Sequence, residues 1–205
     1  EDLKTGDLIL FGRKNKYNSW LSYLSSFVKY TTNSYISHIG MIVKNPIYLD
    51  RELEGLYLWE SGMEIYGCDK NMKIGVQLTP LKKIIDDARE NQTTLLVRQL
   101  NQKNNLLTET KLKIIYEIVK DKPYDLDPRD WLEAYFNIDD EYPKTNKFWC
   151  SALVGFIYTR CGILNEFTNW SILKPCDFSI ESEKLLFNYS IDLGDEKKLN
   201  LESTN

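Results

Sequence analysis

The pattern of hydrophobic and polar positions places strands in the first half of the chain. Short apolar runs bounded by turn residues predict buried strands. The predicted strands are Leu8–Phe11, Ser37–Val43, Leu56–Glu60, Gly75–Leu78 and Thr93–Leu100. After the third of these, Ser61 and Gly62 predict a turn that opens a hairpin.

Apolar residues at intervals of three and four positions predict helices, most of them after residue 100. The predicted helices run over residues 18–28, from Pro80 to Ala88, over residues 108–120, over residues 130–137 and from Cys150 to Cys161. Gly162 is a suitable C-terminal cap for the last of them. These elements predict an α+β domain, with an antiparallel sheet and helices on one side of it. We expect a single domain over residues 1–191, followed by a polar C-terminal tail, residues 192–205, that frays.

The bulk composition is that of an ordinary globular domain. The chain has 205 residues, of which 42% are hydrophobic and 27% are charged. Its formal net charge is −4, which gives no overall attraction for a phosphate backbone. We therefore expect no nucleic acid among its partners.

The cysteine and histidine content argues against a metal centre. Four cysteines without a C-x-x-C spacing and one histidine provide too few soft ligands for a familiar zinc site, so we predict no metal and no cofactor.

The sequence shows no signal peptide and no transmembrane segment, which predicts an intracellular, cytoplasmic protein with free thiols. Basic residues flank the aromatic segment 13–30, a pattern compatible with peripheral membrane contact, although a core helix is the favoured interpretation.

Cys150 is the first candidate for chemistry because it stands at the start of an apolar helix. Backbone N–H groups and the helix dipole favour a thiolate at this end and can hold an oxyanion. The alternative is a buried structural cysteine, which position alone would favour.

His38 and Glu60 are the residues that could support such a thiol. A cysteine nucleophile needs a base, and His38 is the one histidine of the chain, at the head of a predicted strand. Glu60 ends an apolar run, where a carboxylate entering a buried strand would need a partner. Alternatively, His38 lies at a strand edge and Glu60 is simply the first exposed residue after its strand. Glu64 is a second candidate for the orienting carboxylate.

Several motifs together resemble the circularly permuted NlpC-type papain-like superfamily, the YiiX-like family of bacteria and large DNA viruses. The motifs are Gly6–Phe11, Ser37–Met41, Trp59–Glu60, Pro123–Asp125, Trp149–Val154 and Pro175–Phe178. The resemblance implies a papain-like antiparallel sheet packed against helices, with Cys150 as nucleophile, His38 as base and Glu60 as the orienting carboxylate. It also implies that Tyr124 and Asp125 line the pocket, although a turn that ends a helix explains them equally well. Ala152 departs from the family pattern, in which glutamate often follows the Cys-Ser pair.

The activity implied by this resemblance is that of a cysteine hydrolase, a peptidase or amidase. It would cleave an amide or ester bond through a covalent thioester, and its substrate would be a peptide or an acylated, lipid-bearing molecule. One alternative is a lipid acyl hydrolase or acyltransferase. Another is a binding module that captures an acyl chain or peptide without turnover.

Overall fold

A six-stranded antiparallel sheet forms the centre of the protein. The computed structural model describes residues 2–12, 34–66, 71–124, 147–182 and 184–201. Within these residues, the elements are β1 (Leu8–Gly12), β2 (Ile36–Lys44), β3 (Leu56–Tyr66), β4 (Asn71–Pro80), α1 (Leu81–Glu90), β5 (Leu95–Arg98), β6 (Leu100–Gln102), α2 (Glu109–Val119), α3 (Cys150–Cys161), two 3-10 helices (Trp170–Ile172 and Pro175–Phe178), β7 (Ile191–Leu193) and β8 (Lys197–Lys198). The helices predicted over residues 18–28 and 130–137 lie outside the described residues.

The strand order of the large sheet is β4-β3-β2-β1-β5-β8, and β6 pairs with β7 in a second, two-stranded sheet. Strand β1 is central, with Leu10 opposite Ile39 of β2 on one side and opposite Leu96 of β5 on the other. The three strands that carry or adjoin the candidate site, β2, β3 and β4, are consecutive neighbours.

Both faces of the sheet are covered, so the expectation of helices on one side was wrong. Leu8 and Met41 belong to the core cluster that contains α2 and α3, whereas their chain neighbours Ile9 and Ile42 pack with residues of α1. Successive side chains of a strand point to opposite faces, so a strand buried on both faces has a continuous apolar run. The uninterrupted run of β1 is the sequence signal of this arrangement.

Strand β3 does not turn at Ser61 and Gly62 as predicted. It continues to Tyr66, and Gly62 lies opposite Gly75 of β4. Ser61 is fully buried, and its hydroxyl donates a hydrogen bond to the carbonyl oxygen of Phe148 at 2.6 Å. The Ser-Gly pair therefore meets α3 instead of forming a loop, because a small polar residue can satisfy a backbone carbonyl inside the core.

The segment after residue 191 was expected to fray, but it contributes part of β7 and all of β8. Leu193 and Leu199 are buried in it. Arg98 of β5 holds this segment and the preceding 3-10 turn by donating to the carbonyl oxygens of Phe178, Leu193 and Gly194 at 2.8 to 2.9 Å. The single-domain boundary at residue 191 stays a prediction.

None of the helices in the described residues has both the length and the apolar character needed to cross a bilayer.

Candidate functional site

Cys150 is the first residue of α3, as the sequence predicted, and its side chain is 4% exposed. Trp149 occupies the N-cap position without a capping side-chain hydrogen bond. Two neighbouring side chains hold this turn through the carbonyl oxygen of Leu173, which accepts from Trp149 Nε1 at 3.0 Å and from Ser151 Oγ at 2.7 Å. The start of α3 is therefore rigidly placed, with the positive end of the helix dipole at the sulfur.

His38 and Glu60 form a direct pair across β2 and β3. His38 Nε2 lies 2.6 Å from Glu60 Oε2, and Glu60 is 4% exposed. The second carboxylate oxygen, Oε1, accepts a hydrogen bond from the hydroxyl of Thr79 at 2.7 Å. Phe11 packs edge-on against the imidazole with ring centroids 4.9 Å apart. Glu60 is thus a buried carboxylate with both oxygens engaged, and not the exposed end of a strand.

The pKa of His38 depends on the neighbouring Cys150 and Glu60. Burial alone would lower the pKa of His38, but the negative charge of Cys150 and a hydrogen bond to it, together with the hydrogen bond and charge of Glu60, raise that pKa from 6.5 to about 10. The raised pKa favours the protonated imidazole at neutral pH. The structure brings Cys150, His38 and Glu60 together, although no comparison tests their predicted catalytic roles.

The structure gives less information on the other candidate residues, Tyr124, Asp125 and Glu64. Tyr124 is half-buried and forms a parallel backbone bridge with Phe148, two residues before Cys150. Its role in lining a pocket stays a prediction. Asp125 lies outside the described residues, and Glu64 is a backbone partner of Lys73 in the β3–β4 ladder.

Cys161 and Cys176 are free thiols, and burial raises the pKa of both, that of Cys161 to about 11. Cys68 lies outside the described residues. Within the part of the chain that the structure describes, no group of histidine, cysteine and acidic side chains could hold a metal ion.

Two residues near the site were missed by the sequence reasoning. Thr79 directly precedes Pro80, where the helix was predicted to begin, and its hydroxyl donates to Glu60. Gln77 lies directly opposite Glu60 in the β3–β4 register. Predicting either contact requires the register of the hairpin, and the misplaced turn at Ser61 and Gly62 concealed it.

One segment of the chain matches a known protein family. A family model described as proliferating cell nuclear antigen, N-terminal domain, matches residues 49–127. No curated protein matches the chain. The matched segment contains β3, β4, α1, β5, β6 and α2 but covers fewer than half of the 205 residues, so it does not by itself place the chain in that family.

This match contradicts the resemblance to the YiiX-like family. It corrects three expectations: the papain-like fold, the cysteine hydrolase activity with its acyltransferase and binding-module alternatives, and the peptide or lipid-bearing substrates. The expectation of no nucleic acid partner is corrected as well, because the matched model describes the N-terminal domain of proliferating cell nuclear antigen. The earlier resemblance rested on short motifs that describe strand ends, turns and a helix start, and such local features recur in unrelated folds.

Proposed function

We propose that Cys150, His38 and Glu60 form a reactive-thiol site, at which the Cys150 sulfur forms a covalent bond with an electrophilic group. The observation that carries the proposal is the part-buried His38–Glu60 pair, 2.6 Å apart, in which His38 also forms a hydrogen bond with Cys150, the first residue of α3. In this site Cys150 is the nucleophile, His38 supplies a positive charge next to the sulfur, and Glu60 positions the imidazole.

The charge arrangement supports a thiolate at this position. Glu60 is buried, and a buried carboxylate is strongly destabilising unless a positive or donating partner meets it. His38 meets one carboxylate oxygen and Thr79 donates to the other, while His38 also forms a hydrogen bond with Cys150. The imidazole of His38 and the helix dipole both place positive charge next to the sulfur, which is the environment of reactive cysteines.

The proposal is tested by alkylation with iodoacetamide at pH 7, followed by mass spectrometry of the cysteine peptides. The thiolate attacks the iodine-bearing carbon, a carbon–sulfur bond forms and iodide leaves. Cys161 is the internal control, because a thiol with a pKa of about 11 is ionised in only about one molecule in 10,000 at this pH. We expect Cys150 to react at least about 100-fold faster than Cys161.

The variant His38→Gln removes the charge and keeps a polar side chain of similar size at this position. We expect it to reduce the alkylation rate of Cys150 at pH 7 at least about tenfold. Equal rates at Cys150 and Cys161, or a His38→Gln rate equal to that of the wild type, would show that the site is not activated. A reactive thiol of this kind requires a reducing compartment, so an intracellular location forms part of the proposal.

Association with nucleic acid is a second candidate, favoured by the family match and by a basic cleft. The cleft has a volume of about 770 Å³ and is lined by Lys4, Lys44 and Lys103, with Glu109 as the single acidic residue among its lining side chains. Most of its lining lies within the matched segment. Lysine side chains bind phosphate as point charges, so these three cleft lysines can contact a nucleic acid backbone, with Lys44 exchanging its exposed ion pair with Asp2 for a phosphate.

This candidate is tested by fluorescence anisotropy with double-stranded DNA between 50 and 200 mM salt. Three phosphate contacts predict that log K falls against log salt with a slope of about −2.7. Replacing the three cleft lysines by glutamine should abolish binding, whereas the control replacement of Lys82, Lys113 and Lys197 should have a small effect. Absence of binding at 50 mM salt, or equal loss in both triple variants, argues against the cleft.

A further inference from the structure

Thr79 begins a chain of three contacts that ends at the Cys150 sulfur. Its hydroxyl donates to Glu60 Oε1 at 2.7 Å, and Glu60 Oε2 lies 2.6 Å from His38 Nε2. His38 in turn forms a hydrogen bond with Cys150. Thr79 is fully buried and Glu60 is 4% exposed, so water has little access to the carboxylate that joins them. A change at Thr79 can therefore affect the sulfur without touching it.

The register of the β3–β4 hairpin places Thr79 beside this carboxylate. Thr79 lies opposite Leu58, which is two residues before Glu60 and on the same face of β3. Such diagonal neighbours on adjacent strands are within side-chain reach of each other. Gln77 lies directly opposite Glu60, but its amide has no hydrogen-bond partner. Among the residues that the structure describes, Thr79 and His38 are therefore the side chains that hold Glu60 by hydrogen bonds.

Two contacts at opposite oxygens fix the orientation of the Glu60 carboxylate. The terminal torsion of a glutamate side chain has only a broad preference, so a carboxylate with one contact is free to turn. Thr79 is a good anchor, because a β-branched side chain is stiff at χ1 and its hydroxyl supplies one hydrogen. With Oε1 held by Thr79, Oε2 faces His38 Nε2. The other ring nitrogen, Nδ1, is then left for the contact with Cys150.

We propose that Thr79 is a positioning residue of the reactive-thiol site, whose hydroxyl orients Glu60, and through Glu60 the imidazole of His38, so that the Cys150 sulfur is reactive. The alternative is a purely structural role, in which the hydroxyl only satisfies a buried carboxylate. This inference rests on the proposed reactive-thiol function.

The experiment compares two substitutions that divide the properties of the threonine side chain. Thr79→Val keeps the branched shape and removes the hydroxyl, whereas Thr79→Ser keeps the hydroxyl and removes a buried methyl group. Both variants should melt below the wild type. We expect only Thr79→Val to lose about tenfold in the rate at which iodoacetamide alkylates Cys150 at pH 7, the effect of one hydrogen bond. Thr79→Ser should stay within about threefold of the wild-type rate.

Thr159→Val is the matched control, because it makes the same change in α3, at a buried hydroxyl that has no hydrogen-bond partner. Its alkylation rate should stay within about twofold of wild type. Equal losses of rate in Thr79→Val and Thr79→Ser would overturn the inference, because the rate would then follow stability and not the hydroxyl. A wild-type rate in Thr79→Val would overturn it as well.

A double-mutant cycle tests whether Thr79 acts through His38. In His38→Gln the chain of contacts is already broken, so adding Thr79→Val should change the remaining rate by less than about twofold. A tenfold loss in that background would contradict the inference, since Thr79 would then influence the sulfur by another route.

The titration of His38, followed by NMR at its Cε1–H, tests the same coupling without alkylation. In Thr79→Val the carboxylate is free to turn away from the imidazole, so the His38 transition should move from about pH 10 downwards by about one pH unit. Thr79→Ser should titrate like the wild type. Equal titration curves for Thr79→Val and the wild type would refute the positioning role. Failure of the reactive-thiol function is distinguishable, because wild-type Cys150 would then react no faster than Cys161, while the titration would still report on Thr79.

Discussion

The ionisation of His38 is the prediction that tests the site most directly. The difference between a pKa of about 10 and the ordinary value of 6.5, at about 1.4 kcal/mol for each pH unit, corresponds to roughly 5 kcal/mol in favour of the imidazolium. Burial acts in the opposite direction, so Cys150 and Glu60 must supply all of this preference and more. We expect Glu60→Gln and Cys150→Ser each to lower the pKa of His38 by about 2 pH units. In the double variant burial acts alone, and the pKa should fall below 6.5.

The measurement is favourable because His38 is the one histidine of the chain. Its Cε1–H resonance can be followed by NMR from pH 5 to pH 11 without assignment of other imidazoles. We expect no change in chemical shift between pH 6 and pH 8 in the wild type, and a single transition near pH 10. A wild-type transition near pH 6.5, or equal titration curves for the wild type and the double variant, would refute the reasoning.

The same pKa determines how stability depends on pH. Because the pKa of His38 in the folded protein lies above 6.5, its contribution to the free energy of unfolding is complete below pH 6.5 and is lost as the pH rises to about 10. The stability difference between the wild type and His38→Gln, measured by urea denaturation, should therefore shrink over this window. A difference that grows with pH would contradict the assignment of charge.

Three further substitutions test the elements that support the site. Thr79→Val leaves Glu60 Oε1 without its donor and should reduce the free energy of unfolding by about 1–3 kcal/mol in urea denaturation. Arg98→Met removes the donor for three backbone carbonyls and should cost about 3 kcal/mol, with faster proteolysis of the C-terminal segment. Gly75→Ala should cost more than about 2 kcal/mol, because Gly75 has φ +131° and an added Cβ would collide with the carbonyl oxygen of Lys122.

Each of these substitutions has a matched control. Thr110→Val and Arg51→Met change exposed side chains and should stay within about 0.5 kcal/mol of wild type. Gly62→Ala introduces the same methyl group in the same hairpin without a close contact, and should be far less destabilising than Gly75→Ala. If a substitution and its control reduce the free energy of unfolding equally, the contact named for the buried residue does not cause the loss of stability.

Local sequence signals located the three residues of the candidate site. The apolar stripe and Gly162 predicted the helix that begins at Cys150, and Gly162 does adopt the left-handed cap conformation, with φ 82°. The apolar run after His38 predicted β2. For Glu60 the sequence left two interpretations open, and its burial beside His38 decided between them.

What the sequence by itself determined was the type and the approximate bounds of elements whose signals lie within a few positions along the chain. The tertiary structure alone decided where β3 turns, which faces of the sheet are covered, and that Thr79 and Gln77 lie beside Glu60. These features depend on strand register and on contacts between distant segments, such as the hydrogen bond from Ser61 to Phe148. A shift of one residue in register would move every side chain of β4 to the other face, so no local pattern specifies these contacts.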